Sequence, residues 1–184
     1  MSLQGLTVDN TWSLFLDRDG VINKRIVGGY AKNWDQFEFL PGVRDALKIF
    51  PEHFNRIFVV SNQQGIGKGI TTVKELESIH ARMMENIHNS GGRIDKIYFS
   101  PHLESDRSFM RKPRIGMALR ARKDFPEIRL RQSFMVGDSI SDMVFGKRVR
   151  MTTVFLSEDN SVAKKHPGLI DFLFPDLISF ALQL

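Results

Sequence analysis

Residues 12–21 read Trp12-Ser13-Leu14-Phe15-Leu16-Asp17-Arg18-Asp19-Gly20-Val21, and an apolar run gives way within them to a pair of acids and a glycine. A short apolar run bounded by polar residues suits a strand buried on both faces, with its polar residues at the carboxyl end. The pattern returns along the chain. Ile57 to Val60 runs into Ser61-Asn62, and Phe134 to Val136 runs into Gly137-Asp138. Lys96 to Phe99 and Thr152 to Leu156 are two more such runs, and Phe172 to Phe174 reads as a sixth strand, at an edge.

Helical segments lie between these runs. Val73 to Ser90 opens with Thr72 and Glu75 spaced as a capping box and stops at Gly91-Gly92. Pro41-Gly42 introduces a helix over Val43 to Phe50, and Gly116 to Asp124 and Ser141 to Arg148 are read as two more. Strands that alternate with helices need crossover connections. The fold expected is therefore α/β: a doubly wound, mainly parallel, Rossmann-like sheet with helices on both faces, in a single domain over residues 1–184. Only the twenty residues Val21 to Leu40 and the thirteen between Phe99 and Pro113 are free as inserts. Neither is long enough for a separate cap domain. Ligands of such sheets sit beyond the carboxyl ends of the strands, so Asp17, Ser61 and the residues after Phe99 and Val136 are where chemistry is expected.

Asp17 and Asp19 place two carboxylates two residues apart before Gly20, so that one can attack while the other handles protons. Alone, acids before a glycine equally suit an ordinary turn. Asp138 and Asp142 would face the same edge if a helix starts at Ser139 to Asp142, and alone they suit a helix N-terminus stabilised by acids. Together, four carboxylates repel one another unless a cation lies among them. Oxygen ligands without histidine or cysteine nearby point to magnesium. The hydroxyl of Ser61 and the amides after Asn62 could hold phosphate oxygens. Residues 63–69, Gln-Gln-Gly-Ile-Gly-Lys-Gly, depart from a phosphate-binding Walker loop and are read as a mobile loop at the mouth of the site. Arg111-Lys112-Pro113 offers two cations to neutralise a phosphoryl group.

Composition narrows the classes. There is no cysteine among the 184 residues, which excludes disulfides, thiolate nucleophiles and thiolate metal sites. No basic leader precedes an apolar stretch, and the apolar tail Phe172 to Leu184 is short and broken by Pro175-Asp176. A cytoplasmic protein with no membrane partner is expected. The net charge of +5 suits an anionic partner. No surface of interleaved aromatic and basic residues is evident, so a small phosphorylated metabolite is the expected partner and nucleic acid is not. A monomer is assumed.

The succession Asp17-Arg18-Asp19-Gly20-Val21, Ser61-Asn62, Lys112, then Gly137-Asp138 with Asp142 resembles the haloacid dehalogenase phosphohydrolase superfamily. Gly29-Tyr30, Phe39-Leu40-Pro41-Gly42-Val43, Asn62-Gln63 with Gly65-Ile66, and Arg111-Lys112-Pro113 with Gly116-Met117 narrow the resemblance to its D-glycero-D-manno-heptose 1,7-bisphosphate and histidinol-phosphate phosphatases. That resemblance implies Asp17 as nucleophile, Asp19 as general acid and base, and Ser61 and Lys112 on the phosphoryl group. It also implies magnesium on Asp17, the Asp19 carbonyl and Asp138, with Asp142 supporting the metal shell. Asn62 and Arg111 are candidates for substrate contacts, and Gly28-Gly29-Tyr30 with Trp34 for covering a bound ligand. The activity implied is hydrolysis of a small phosphate ester through an aspartyl phosphate, a heptose bisphosphate foremost. Histidinol phosphate, a polynucleotide end and an inactive phosphate-binding or receiver-like protein stay open. In one respect the chain departs from the subgroup. Its zinc loop has Cys-x-His and Cys-x-Cys where this chain has Ser100-Pro101-His102 and Ser108-Phe109-Met110. No zinc is expected, and the loop is expected to depend on packing by Leu103, Phe109 and Met110.

Overall fold

Successive side chains of a strand point to opposite faces, and here each face meets its own core. Leu14, Leu16, Ile57, Val59, Phe134 and Val136 pack into one buried cluster, while Phe15, Phe58, Val60 and Met135 pack into another. The computed structural model, which describes Leu3 and residues 5–184, joins these residues in one sheet. Its strands are β1 (Ser13–Leu16), β2 (Arg56–Asn62), β3 (Lys96–Ser100), β4 (Ser133–Gly137), β5 (Thr152–Leu156) and β6 (Phe172–Phe174). Their order is β3-β2-β1-β4-β5-β6, and every neighbouring pair is parallel.

The helices are α1 (Val43–His53), α2 (Gln64–Gly67), α3 (Val73–Asn89), α4 (Gly116–Asp124), α5 (Ile140–Arg148), α6 (Ser161–Lys165) and α7 (Leu177–Ala181). Residues of α1, α3 and α7 fill the first core and residues of α4 and α5 the second. The expected doubly wound sheet with helices on both faces is what the chain forms. β1 and β4 are neighbours in space, and the chain leaves β1 towards β2 on one side and reaches β4 on the other. This is the switch point at which open α/β sheets bind ligands. Leu16 pairs with Val136, and the Asp17 amide donates to the Val136 carbonyl at 2.9 Å, so Asp17 emerges beside the turn that carries Asp138.

Four local expectations change. α1 continues through Pro51 to His53 because Phe50 and Phe54 are both buried, and the Phe54 amide closes the last turn on the Phe50 carbonyl at 2.9 Å. The glycine-rich stretch is a helical turn, α2, tied by the Gly67 amide to the Pro101 carbonyl at 3.0 Å. Trp34 is no cover for a ligand: it stacks on Phe37 at 5.0 Å and packs against the first core. Phe109 does not pack the loop before Arg111, being 56% exposed; Leu103 lies against α2 and Met110 against the second core. No described helix is long and apolar enough to cross a membrane.

Candidate active site

The end of β1 turns sharply at Gly20, whose φ of +94° belongs to the left-handed region. A side chain there would also have its Cβ 1.9 Å from Asp138 Oδ2. Glycine is thus required twice, by the turn and by the approach of Asp138. At the end of β4 a close approach alone demands glycine at Gly137, where a Cβ would lie 2.3 Å from that of Asp142. These two close approaches bring the acids together. Asp17, Asp138 and Asp142 each offer a carboxylate oxygen within 4.8 Å of the others.

Lys112 reaches this cluster from the loop before α4. Its Nζ is 2.9 Å from Asp17 Oδ1 and 2.7 Å from Asp142 Oδ1, and it donates to the Val60 carbonyl at 2.6 Å. Three acceptors thus surround an ammonium with three protons. Burial works against the Lys112 charge, yet Asp142 and Asp17 outweigh it and raise its pKa above the usual value. Asp142 is wholly buried, and its Oδ2 accepts from the Ser139 hydroxyl at 2.6 Å and the Ser139 amide at 3.2 Å at the start of α5.

Positive charge is short at the acids themselves. Burial pushes the Asp17 carboxyl up to about 7; Lys112 pulls against this, and Asp142 and Asp19 add to it. Burial likewise pushes Asp138 up to about 6, with Arg25 opposing. Asp19 differs. Burial raises it, but the Arg18 guanidinium and hydrogen bonds from Arg18, Asn23 and Gln63 outweigh burial and leave it below the usual range. Arg18 Nη2 grips both Asp19 oxygens at 2.9 and 3.0 Å, Asn23 Nδ2 donates at 3.0 Å, and Gln63 Nε2 at 2.7 Å. The same Gln63 Nε2 lies 2.7 Å from Ser61 Oγ, which orients that hydroxyl at the end of β2.

Seven of the eight expected site residues, namely Asp17, Asp19, Ser61, Asn62, Arg111, Lys112 and Asp142, line a single cavity of about 260 Å³. The eighth, Asp138, stands next to them behind Arg25. Tyr30 and Gly29 line the cavity as expected. Asn62 is committed elsewhere in part: its Nδ2 donates to the Lys112 carbonyl at 3.0 Å and its Oδ1 accepts from the Lys112 amide at 3.0 Å. This two-way pair fixes the backbone of the Arg-Lys loop without thiolates. Across Asn62, Arg111 and Lys112 the cavity continues into a second hollow of about 530 Å³ that Arg107, Arg114 and Arg148 also line, with Glu104 the only acid among the described residues around it.

An acid trio, a buried lysine among them and an adjoining hydroxyl, at the switch point of a sheet ordered 3-2-1-4-5-6, is equipment for phosphoryl transfer. The family model described as Polynucleotide kinase 3 phosphatase matches residues 14–177. The D-glycero-alpha-D-manno-heptose-1,7-bisphosphate 7-phosphatase of Mycobacterium tuberculosis is 37% identical over 173 residues, which cover 94% of this chain and 91% of that protein. The chain belongs to this family. It is a phosphatase of the haloacid dehalogenase superfamily. A D-glycero-beta-D-manno-heptose-1,7-bisphosphate 7-phosphatase of Helicobacter pylori is 35% identical over 155 residues, 84% of this chain and 88% of that one. The crystal structure of D,D-heptose 1,7-bisphosphate phosphatase from B. bronchiseptica complexed with magnesium and phosphate aligns with a TM-score of 0.82 at 26% identity, over 93% of this chain and 96% of that one.

Several residues of this haloacid dehalogenase site were not singled out in the sequence. Gln63 had a faint signal, following a strand-end serine. Arg18 and Asn23 flank the acid pair but look like turn residues. His80, on the inner face of α3, lies 3.1 Å from Arg18 Nη1, a contact across 62 residues with no local signature. Arg25 is the last, and its position is the most consequential.

Proposed function

We propose that this phosphatase hydrolyses a heptose 1,7-bisphosphate, with Asp17 as nucleophile and magnesium as cofactor. The observation that carries the reading is the cavity of Asp17, Ser61 and Lys112 opening into a hollow lined by four arginines. None of those arginines makes an ion pair among the described residues. One phosphoryl group at Asp17 and a second in the hollow would answer both sets of charges. The heptose bisphosphate phosphatases similar to this chain support the choice of sugar.

Three carboxylate oxygens within 4.8 Å, with no nitrogen or sulfur ligand among them, fit a hard divalent cation. Asp17, the Asp19 carbonyl and Asp138 would hold magnesium, with Asp142 fixed behind them by Ser139 and Lys112. Bound there, magnesium supplies positive charge against the carboxylates and the phosphoryl oxygens. Asp17 attacks phosphorus as the bond to the sugar oxygen breaks, and a protonated Asp19 gives its proton to that oxygen. Water then attacks the aspartyl phosphate, Asp19 takes its proton, and Asp17 and inorganic phosphate are released. Ser61 donates to a phosphoryl oxygen throughout, and Lys112 does so once it turns its proton on Asp17 Oδ1 to the phosphoryl group, keeping Asp142 and the Val60 carbonyl. In the arrangement seen, Arg18, Asn23 and Gln63 keep Asp19 ionised, the form needed for the second step. The first step requires Asp19 to leave Arg18 and face the leaving oxygen. The chain acts as one unit with an open site, since residues 21–40 and 100–112 form loops and short turns around the cavity. Its loop lacks thiolates, so it works without structural zinc.

Rates on heptose bisphosphate, histidinol phosphate and a 3′-phosphorylated oligonucleotide, at matched concentrations with magnesium and after chelation, test the reading. Asp17→Asn serves as the inactive control, down by about a thousandfold or more. The expected result is the highest kcat/KM on the bisphosphate and none after chelation. A higher kcat/KM on the oligonucleotide would assign the arginine-lined hollow to a phosphodiester backbone and overturn the sugar reading.

A further inference from the structure

Arg25 occupies two of the oxygens assigned above to the cation. Its Nη2 donates to Asp138 Oδ1 at 2.7 Å and to the Asp19 carbonyl at 3.0 Å. The Asp138 side chain is 20% exposed and that of Arg25 50%, so the guanidinium approaches from solvent and covers an acid set deeper than itself. Arg25 makes no other side-chain hydrogen bond or ion pair among the described residues. It stands on an exposed loop in which Val27 is 95% exposed and Gly28 and Gly29 follow. The grip is therefore placed to be released: its own loop holds it loosely, and it lines the cavity into which it would turn.

Resting on the cation reading of Asp17, Asp19 and Asp138, we propose that Arg25 is a built-in competitor for the metal, excluded from Asp138 and the Asp19 carbonyl when a divalent cation binds and turned into the cavity beside the phosphoryl group. Two positive groups cannot share the same oxygens at contact distance, because their mutual repulsion adds to the loss of each one's ligands. Removing the arginine therefore removes a rival. Its release also links the two ligands of the site. A guanidinium freed by the cation turns either to water or to an anion, and a phosphoryl dianion in the cavity it lines is its strongest available partner. Cation and phosphate then assist each other through Arg25, and the assistance is reciprocal.

A guanidinium that merely pins its loop makes the opposite forecast, since losing it would leave the cation's affinity unchanged or, by loosening the turn at Gly20, reduce it. Calorimetric titration of magnesium into the unmodified protein, Arg25→Gln and Arg25→Lys at one ionic strength separates the two. Arg25→Gln is expected to bind magnesium about three- to tenfold more tightly, the range set by a half-exposed ion pair to a mostly buried acid. Arg25→Lys, which keeps the charge but not the fork, is expected between the two. With saturating inorganic phosphate the gap between Arg25→Gln and the unmodified protein should narrow, because the displaced arginine then has a partner. Equal or weaker magnesium binding by Arg25→Gln, or a gap that widens with phosphate, overturns the proposal. Absence of magnesium binding in every variant would instead overturn the cation reading, and the competition with it.

Discussion

His80 shows how a single buried ring holds part of the site in order. Arginine only donates, so the His80 Nε2 that faces Arg18 Nη1 at 3.1 Å must accept, and the ring is neutral. Burial, and then the Arg18 charge, push its pKa down to about 3. A histidine in the unfolded chain takes up its proton near pH 6.5. Below that the unfolded state binds more protons than the folded one, so stability contributed by neutral His80 is present above about pH 6.5 and is lost as pH falls towards 3. His80→Gln keeps an acceptor for Arg18 without the proton uptake. Its melting temperature should fall less between pH 6.5 and 4.5 than that of the unmodified protein. Comparing the two slopes isolates His80 from the carboxylates, which titrate in both proteins; parallel slopes would count against the assignment.

At the scale of elements, the Arg-Lys loop is held by the end of β2. Asn62 exchanges both amide hydrogen bonds with the Lys112 backbone, the Gly116 amide donates to the Phe109 carbonyl at 3.0 Å, and Lys112 is buried among acids. Removing the Asn62 amide leaves two buried main-chain groups unpaired, at about 1–3 kcal/mol each. Asn62→Ala should therefore speed hydrogen exchange across residues 100–115 and lower phosphatase activity about tenfold, while elemental analysis finds no stoichiometric zinc in either protein. Unchanged exchange in that segment would show that something else holds the loop. All six strands could be read in the sequence because each is an apolar run bounded by polar residues, and the capping box of Thr72 and Glu75 is present at α3. α6 has no buried residue and α7 is five residues long, too short for a periodic pattern to show. The acids, Ser61 and Lys112 could be read because each sits at a strand end or in a marked loop. His80 and Arg25 could not, since what matters about them is a partner far along the chain, and Gln63 showed only its place beside Ser61 and not its bond to Asp19.

For the molecule as a whole, charge and topology govern how ligands arrive. A net charge of +5 with four arginines around one hollow attracts polyanions over a distance that salt shortens. Between roughly 0.05 and 0.5 M salt, kcat/KM should fall for any phosphate ester, and more steeply for a bisphosphate than for a monophosphate. Equal salt slopes for the two would remove the second phosphate from the arginines. The β1–β4 neighbourhood has a further effect during synthesis. Asp17 is made early, whereas Asp138 and Asp142 belong to the last third of the chain, and only the pairing of β4 with β1 brings them together. Until residues 133–137 have left the ribosome, β1 is an unpaired edge in the nascent chain, flanked on one side only by β2. Such an edge invites pairing with other chains. The growing polypeptide is thus open to such pairing until β4 docks, the same event that carries Asp138 to Asp17.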